Sequence, residues 1–451
     1  MRLRSKIAIV CGKLTAHILQ KVHGGGGTVL PGYVAWRMDP QILSVLSGMV
    51  REKILVTMGT NGKTTTNRML CHVLEASGKK VVVNRNGANM RNGVITAFVL
   101  ATEKGRLDAD YACIEADEAA AEELLGQLGP QGVLLTNIAR DQLDRFGEVD
   151  IVCEKLQAAL ARVPRASVII NGDDAKLAAL AGECPNPVVV YGINEPVFDD
   201  ISRSSTRESS FCLRCGEKLT YDLFHYGHLG IYHCPGCGWK RPTPDYVAEN
   251  ICFRDGSYSF DMVETRMESV SGVSSAYNIY NTLAAYAALR ALDIPCGGFA
   301  SSQEHFDYGN DRESIFYIKN ALVQLHLAKN PMGFSQKLSM LGRDRKPKDV
   351  ILVINDAWQD GRDVSWLWDV GFQYLKEVQA KAITVSGTRR YDMALRLKYE
   401  DIACAVSIDL KAAIEKLAAG GTGNVYVIVN YSGLYPAKKV FEKLQKAKTK
   451  K

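Results

Sequence analysis

The sequence predicts an α/β protein. Its larger domain is built on a parallel sheet and carries an inserted metal ribbon, and a smaller α/β domain follows. Three observations predict this. From residue 53 to about residue 192, apolar strand-like runs alternate with helical stretches, the pattern of a sheet wound by crossover helices. A Gly-rich turn, Gly59-Thr60-Asn61-Gly62-Lys63-Thr64-Thr65, follows the apolar run Ile54-Leu55-Val56 and leads into a stretch of helical periodicity. Two Cys-x-x-Cys pairs, Cys212/Cys215 and Cys234/Cys237, then interrupt the alternation, with eighteen residues between them.

Taken in order, residues 1 to about 22 set Ile7, Val10, Leu14, Ile18 and Val22 at helical spacing, with Lys6, Lys13 and Lys21 alongside. The plainer reading is a helix docked on the next domain; the other is a helix lying on a membrane surface. The four glycines at 24–27 are too flexible for an element interior, and with Leu30-Pro31-Gly32 they read as a loop. This segment, 1–50, is expected to pack on a central domain spanning 51–300.

Within the central domain, the predicted strands are 54–56, 81–83, 111–114, 133–135, 168–170 and 188–191, and the predicted helices lie around 64–77, 118–127, 151–162 and 174–181. A strand, a Gly-rich turn and a helix N-terminus make a phosphate site, because unpaired N–H groups and the helix dipole point at the anion. Gly59 and Gly62 let the backbone approach, Lys63 adds a point charge, and the Thr64 hydroxyl can ligand Mg²⁺. The common spacing has a further Gly where this chain has Thr57, so the loop is a short variant. Polar residues sit at neighbouring strand ends: Glu115, Thr136-Asn137 and Asn171-Gly172-Asp173-Asp174. Oxygen donors at such a tip are the hard ligands Mg²⁺ prefers. Any one of them alone would more often be a helix cap, Asp173 in particular for the helix that follows, but three such strand ends beside one phosphate loop are much harder to dismiss.

The cysteine knuckles within 205–245 predict a closed tetrahedral Zn²⁺ ribbon, since four thiolates leave the metal no open position for catalysis. Beyond it, residues 257–267 alternate like a strand or hairpin, and an Ala-rich helix runs from Ser275 to Leu292. Asn278 and Asn281 share one face of that helix, as caps or as nucleotide ligands. Pro295-Cys296-Gly297-Gly298 marks a boundary, and 301–451 reads as the second α/β domain. Its expected strands are 322–327, 350–354, 382–385 and 425–429, and its expected helices 333–341, 366–378, 391–398 and 410–418. Among its strand ends, Asn355-Asp356 leads to Asp360-Gly361-Arg362-Asp363, while Ser386-Gly387-Thr388-Arg389-Arg390 reads as a plain turn. Trp366 and Trp368 read as packing residues.

Composition narrows the function classes. A hydrophobic content of 47% and a charged content of 23% belong to an ordinary globular chain. The formal charge of +6 is accounted for by the last fifteen residues, with seven Lys and one Glu, so no broad nucleic-acid footprint is expected. The tail reads as a solvated helix end or as a contact with anionic lipid headgroups. The eight other cysteines are scattered singly among apolar residues, which suits a reducing, cytoplasmic location.

The loop GTNGKTTT, the strand-end Glu115, TNIARDQLD at 136–144, NGDD at 171–174 and the pair Asn278/Asn281 together resemble the central domain of the Mur ligases. Those enzymes activate a carboxylate with ATP as an acyl phosphate, which an amine then attacks. GGGGTVLPG at 24–32, the internal ribbon, LAKNPMGF at 327–334 and DGRDVSWLWD at 360–369 resemble the two-subunit, amide-forming branch of that family. The resemblance implies ATP, Mg²⁺ and a structural Zn²⁺. It implies that the D-glutamate α-carboxylate of the lipid II stem peptide becomes D-isoglutamine, with ammonia from a GatD-type glutaminase in a heterodimer. The chain has no Gly-x-Cys-x-Gly nucleophile elbow of its own.

By the same resemblance, Lys63 and the loop 59–65 hold the β- and γ-phosphates, Thr64 and Glu115 hold Mg²⁺, and Asn137, Asn171, Asn278 and Arg312 approach the nucleotide. Asp356 and Asp360 would face the glutaminase, where a carboxylate orients a catalytic His. Gln142 stands where many Mur ligases have His, and Lys155 is about one residue away from the place of a carbamoylated Lys. The alternatives are a free-standing Mur-type ligase (muramyl-peptide or folylpolyglutamate synthase-like) and a zinc-ribbon scaffold that binds nucleotide without chemistry. The internal ribbon and LAKNPMGF weigh against the first, and intact Lys63, Thr64 and Glu115 against the second.

Overall fold

A computed structural model gives the fold; it describes all residues except 24–27, 85–86, 141–148, 198–208, 226, 256, 265–266, 305, 309–312, 379 and 449–451. The chain builds two sheets with crossover helices and a small cysteine-rich ribbon. The larger sheet has nine strands in the order Met267–Val273, Ser257–Val263, Tyr246–Arg254, Val188–Ile193, Ser167–Asn171, Gly132–Leu135, Lys53–Met58, Tyr111–Glu115, Val81–Val83. Every neighbouring pair is parallel except the two at the Met267–Val273 edge. The strand leading into the phosphate loop is therefore central, with Glu115 beside Thr57 in register.

Alternation along each strand feeds two cores. Leu55 and Cys113 join the face covered by the helices Lys63–Ala76 and Ala276–Ala291, while Val56 and Ile114 join the face covered by Arg91–Leu100, Ala121–Leu128 and Val149–Ala161. The predicted helix after Ser275 is nearly all buried, which explains its Ala-rich sequence: small side chains let it seat closely on the sheet.

Three local expectations are corrected. Leu30-Pro31-Gly32 is not loop but the first turn of a helix, Leu30–Met38. Pro fits there because its missing N–H would have no partner anyway. Gly32 lets the helix pass so close to Arg91–Leu100 that a Cβ would collide with Asn92 O. The expected helix over 366–378 is instead two short 3₁₀ turns, Ser365–Asp369 and Phe372–Lys376, broken at Val370-Gly371. Burying Trp366, Leu367, Phe372, Tyr374 and Leu375 together demands that break, since one straight helix would splay them around its axis. The helix after the strand Ser167–Asn171 is capped by Asp174 rather than Asp173.

The smaller sheet runs Glu313–Ile318, Ala321–Leu327, Asn424–Val429, Lys348–Val353, Ala380–Ser386, Ala405–Val406, parallel apart from its first pair. Its parallel strands lead into Asn330, Asn355-Asp356 and Ser386, and Asn330 meets Asn61 of the larger domain.

Candidate active site

The site is built around the turn between the strand Lys53–Met58 and the helix Lys63–Ala76. Gly59 and Gly62 have φ of +120° and +88°, a region that disfavours side chains. Space forbids them as well: a Cβ on Gly59 would strike Thr136 Oγ1, and one on Gly62 would strike Asn281 Oδ1. The first intrahelical bond runs from Thr66 N–H to Gly62 O at 2.9 Å. The amides of Lys63, Thr64 and Thr65 lie ahead of it, with no partner inside the helix, and point out of its positive end.

Neighbouring strand ends hold the loop in shape. Asn137 Oδ1 accepts from Asn61 N–H at 3.1 Å and its Nδ2 donates to Asn61 O at 2.9 Å, while Thr136 Oγ1 donates to the same carbonyl at 2.7 Å. Thr60 hydrogen-bonds Ala139 through its hydroxyl. From the other side, Asn281 presses on Gly62, accepts from Thr66 Oγ1 at 3.3 Å, and donates to Asn278 Oδ1 at 2.8 Å. Asn281 is therefore the loop contact, and Asn278 stands behind it. Asn171 is a buried strand end whose Oδ1 accepts from Asp173 N–H, and its Nδ2 has no partner among the described residues.

Carboxylates face this loop. Thr64 Oγ1 donates to Glu115 Oε2 at 2.8 Å, placing two hard oxygen donors side by side. Glu115 is fixed by its backbone, which exchanges bonds with Asn84, and by Asn89 Nδ2 on its other oxygen. Glu118 does something the sequence did not disclose. Its Oε1 accepts from Gly59 N–H at 2.6 Å and pairs with Lys63 Nζ at 3.0 Å, so a carboxylate takes up the loop amide and the loop ammonium. Burial alone would lower the Lys63 pKa, but Glu118, Glu115 and Asp117 outweigh it and hold the ammonium above its ordinary value. Burial would likewise raise Glu118, yet Lys63 and the Gly59 amide hold it below the usual carboxylate range. The only forewarning was the acid spacing in Glu115-Ala116-Asp117-Glu118.

The smaller domain reaches this loop. Asn330 caps the helix Pro331–Arg343 through Gly333 N–H at 2.8 Å and also donates to Asn61 Oδ1 at 3.2 Å; Asn61 Nδ2 lies 3.3 Å from Met332 Sδ. LAKNPMGF is thus the segment that meets the phosphate loop. Arg140 pairs with Asp369 at 3.1 Å across the same seam.

Asp173 and Asp174 are wholly buried and act as anchors. Asp173 accepts from Tyr280 OH at 2.6 Å and pairs with Arg241; Asp174 accepts from Ile138 N–H and meets His228 at 3.0 Å. They tie the ribbon and the strand beyond it to the main sheet. In the ribbon, Cys212 and Cys237 Sγ lie 3.6 Å apart, Cys215 and Cys234 Sγ 3.4 Å apart, and all four thiols within 4.8 Å of one another. Tetrahedral Zn–S bonds would set sulfurs about 3.8 Å apart, so the residues fit a four-thiolate metal site. Cys212 and Cys234 pack with Tyr232 and Trp239 against the helix Ala175–Glu183.

At the tip of the smaller sheet, Asp356 accepts from Thr388 Oγ1 at 2.7 Å and Arg389 Nε at 2.8 Å, which hold its pKa below the usual range. The segment 386–390 is therefore the clamp of Asp356, more than a plain turn. Asp360 is buried, and its Oδ1 accepts from Ser432 N–H at 2.8 Å in the first turn of the helix Tyr431–Lys448. Trp366 is buried against Phe334, while Trp368 is half-exposed beside Tyr399. Lys155 is exposed on its helix. Arg312 and Gln142 lie outside the described residues.

A phosphate loop with a Thr–Glu oxygen pair, a parallel sheet, and a second α/β domain folded back on the loop define a class. A family model described as Mur ligase middle domain matches residues 56–232. In fold, the chain is similar to a pseudomurein peptide ligase type C from Methanothermus fervidus, with a TM-score of 0.68 at 23% identity over 89% of this chain and 80% of that one. The chain belongs to the Mur ligase family.

Full-length similarity narrows the class. A second model, MurT ligase C-terminal, matches residues 327–434. The chain is 32% identical to the lipid II isoglutaminyl synthase (glutamine-hydrolyzing) subunit MurT of Staphylococcus aureus (strain COL), over 96% of this chain and 97% of that protein. It is 30% identical to the subunit of the same name from Streptococcus pneumoniae (strain ATCC BAA-255 / R6), over 96% of each. Its place in the family is the MurT group.

Proposed function

We propose that this chain is the synthetase subunit of a lipid II isoglutaminyl synthase. The observation that carries the reading is the full-length likeness to MurT subunits, including the C-terminal domain, in a chain whose phosphate loop and Thr64–Glu115 pair are intact. In this reading ATP lies along 59–65, with Lys63 at the β- and γ-phosphates. Glu118 gives up Gly59 N–H and Lys63 to the nucleotide. Thr64 and Glu115 supply oxygen ligands to Mg²⁺, which when bound offsets the charge that builds up during phosphoryl transfer. Asn61, Asn137, Asn171, Asn278 and Asn281 shape the nucleotide's surroundings.

The acceptor is the D-glutamate α-carboxylate of the lipid II stem peptide. One of its oxygens attacks the γ-phosphorus and ADP leaves. Ammonia then attacks the acyl phosphate carbon, inorganic phosphate departs, and a proton is lost, leaving the D-isoglutamine amide. A GatD-type glutaminase supplies the ammonia as a partner subunit in the cytoplasm. Asp356 is the carboxylate offered to it, since it is part-exposed at the strand end while Asp360 is buried. The four cysteines hold a structural Zn²⁺ with no open coordination position.

Phosphate release from Mg²⁺–ATP by the purified chain, with lipid II and ammonium, tests the reading. Release that requires the D-glutamyl acceptor, and amide formation on glutamine only with the glutaminase present, are expected. Acceptor-independent release would overturn the synthetase assignment, and turnover driven by a free amino acid would favour a free-standing ligase.

A further inference from the structure

The N-terminal helix Leu3–His23 docks on Leu30–Met38 and Arg91–Leu100, but not by the face its periodicity suggested. The docked face is Ser5, Ala8, Ile9 and Gly12: Ser5 Oγ donates to Asp39 Oδ2 at 2.6 Å, and Gly12 sits against Val99 and Pro31. The larger apolar residues point the other way. Leu3, Ile7, Val10, Leu14, Ile18 and Val22 are between 44% and 73% exposed. At roughly 100° per residue they fall in one stripe about 120° wide along the helix. Chains that stay free in solution rarely leave so long an apolar stripe uncovered.

Charge says what covers it. Residues 1–38 contain six Lys and Arg and no Asp or Glu. Arg2, Lys6 and Lys21 are exposed beside the stripe, and among the described residues none is paired with an acid. An apolar stripe edged by cations is complementary to an anionic bilayer surface, where the apolar side chains enter the acyl boundary and the cations meet headgroup phosphates. No described helix is long and apolar enough to cross a membrane, so the helix would lie in the interface plane. A second apolar cluster continues on the partner helix, where Val29, Leu30 and Tyr33 are also exposed.

We infer that the helix Leu3–His23 is a membrane-docking element that seats this protein on an anionic lipid surface through the stripe Leu3, Ile7, Val10, Leu14, Ile18 and Val22. The inference stands on this surface alone, independent of the reaction proposed above. Because the opposite face is fixed to the body of the protein, the docking sets one orientation of the whole chain toward the bilayer.

Co-sedimentation of the full chain with phosphatidylglycerol–phosphatidylcholine vesicles, and with phosphatidylcholine alone, tests it. Binding is expected on the anionic vesicles, weaker by about tenfold or more on the neutral ones and at high salt. The variant Ile7→Ser/Leu14→Ser/Ile18→Ser changes exposed positions only and should keep the thermal midpoint while losing about tenfold or more of the vesicle binding. No binding to anionic vesicles, or equal binding by a folded variant, would overturn the inference. So would a dimer in light scattering that the same substitutions dissolve, because the stripe would then belong to a second copy.

Discussion

The two sheet tips of this molecule carry similar residues and behave differently. Both end parallel strands in Asn, Thr and acidic residues, and both turn through a glycine of positive φ, Gly59 in one and Gly387 at +94° in the other. At the smaller tip the loop satisfies itself: Thr388 N–H goes to Asn355 Oδ1 at 3.0 Å and Arg389 N–H to Ile354 O at 2.9 Å. At the larger tip the helix-start amides have no acceptor among the described residues, and a charged pair, Lys63 and Glu118, is held almost out of solvent. Polar strand ends are therefore not sufficient for a phosphate site. What distinguishes one is backbone donors left over after the loop has closed.

Breaking the larger tip should have the largest effect. Lys63→Ala removes the point charge at the phosphates and should lower acceptor-dependent phosphate release by roughly 10³-fold or more, with the zinc content unchanged. Survival of turnover would mean that the phosphates sit elsewhere. Glu115→Gln leaves a neutral oxygen beside Thr64, so release should fall by about 10²-fold and need more Mg²⁺ to saturate. An unchanged Mg²⁺ dependence would remove Glu115 from the metal site.

The smaller tip should respond in a separable way. Asp356→Asn keeps the shape of the side chain but not its charge toward Thr388 and Arg389. Amidation driven by glutamine through the partner should fall about tenfold or more, while amidation driven by added ammonium stays unchanged. If the ammonium-driven rate also fell, the two tips would not be functionally distinct, and Asp356 would act on the synthetase reaction itself.

How much of this was legible depended on the distance over which each feature is set. The strand–turn–helix around 59–65 was readable because the residues that shape it lie within a few positions of one another. The cysteine knuckles were readable for the same reason. Asn330 and Met332 were not readable as loop contacts, because only the folding of one domain onto the other brings them to Asn61. The N-terminal helix taught a subtler lesson. Its periodicity correctly defined a stripe, but periodicity cannot say on which side the neighbour sits, and small Ala8 and Gly12 let the backbone dock on the less obvious face. Over 366–378 the apolar spacing suggested a helix, and the need to bury five large side chains at once prevailed.

The smallest expected effect concerns Glu118, and it sharpens what the larger tip is. Its carboxylate holds Gly59 N–H and Lys63, the donors assigned to the triphosphate in the proposed function, so nucleotide binding there would displace it. Because Lys63 and the Gly59 amide keep its pKa below the usual carboxylate range, Glu118 stays ionised throughout the neutral region. Mild acid therefore cannot release it, and the wild-type affinity for ATP should be flat between about pH 6 and pH 8 as far as this group is concerned. Glu118→Gln removes the competing charge while keeping an oxygen within reach of the Gly59 amide. ATP affinity without Mg²⁺, measured by calorimetry, should then tighten by about three- to tenfold, or about 0.7–1.4 kcal/mol. A weaker affinity would mean that Glu118 belongs to the loaded site as a binding group. A tighter one makes it a place-holder that keeps Lys63 charged and the loop open until phosphate arrives.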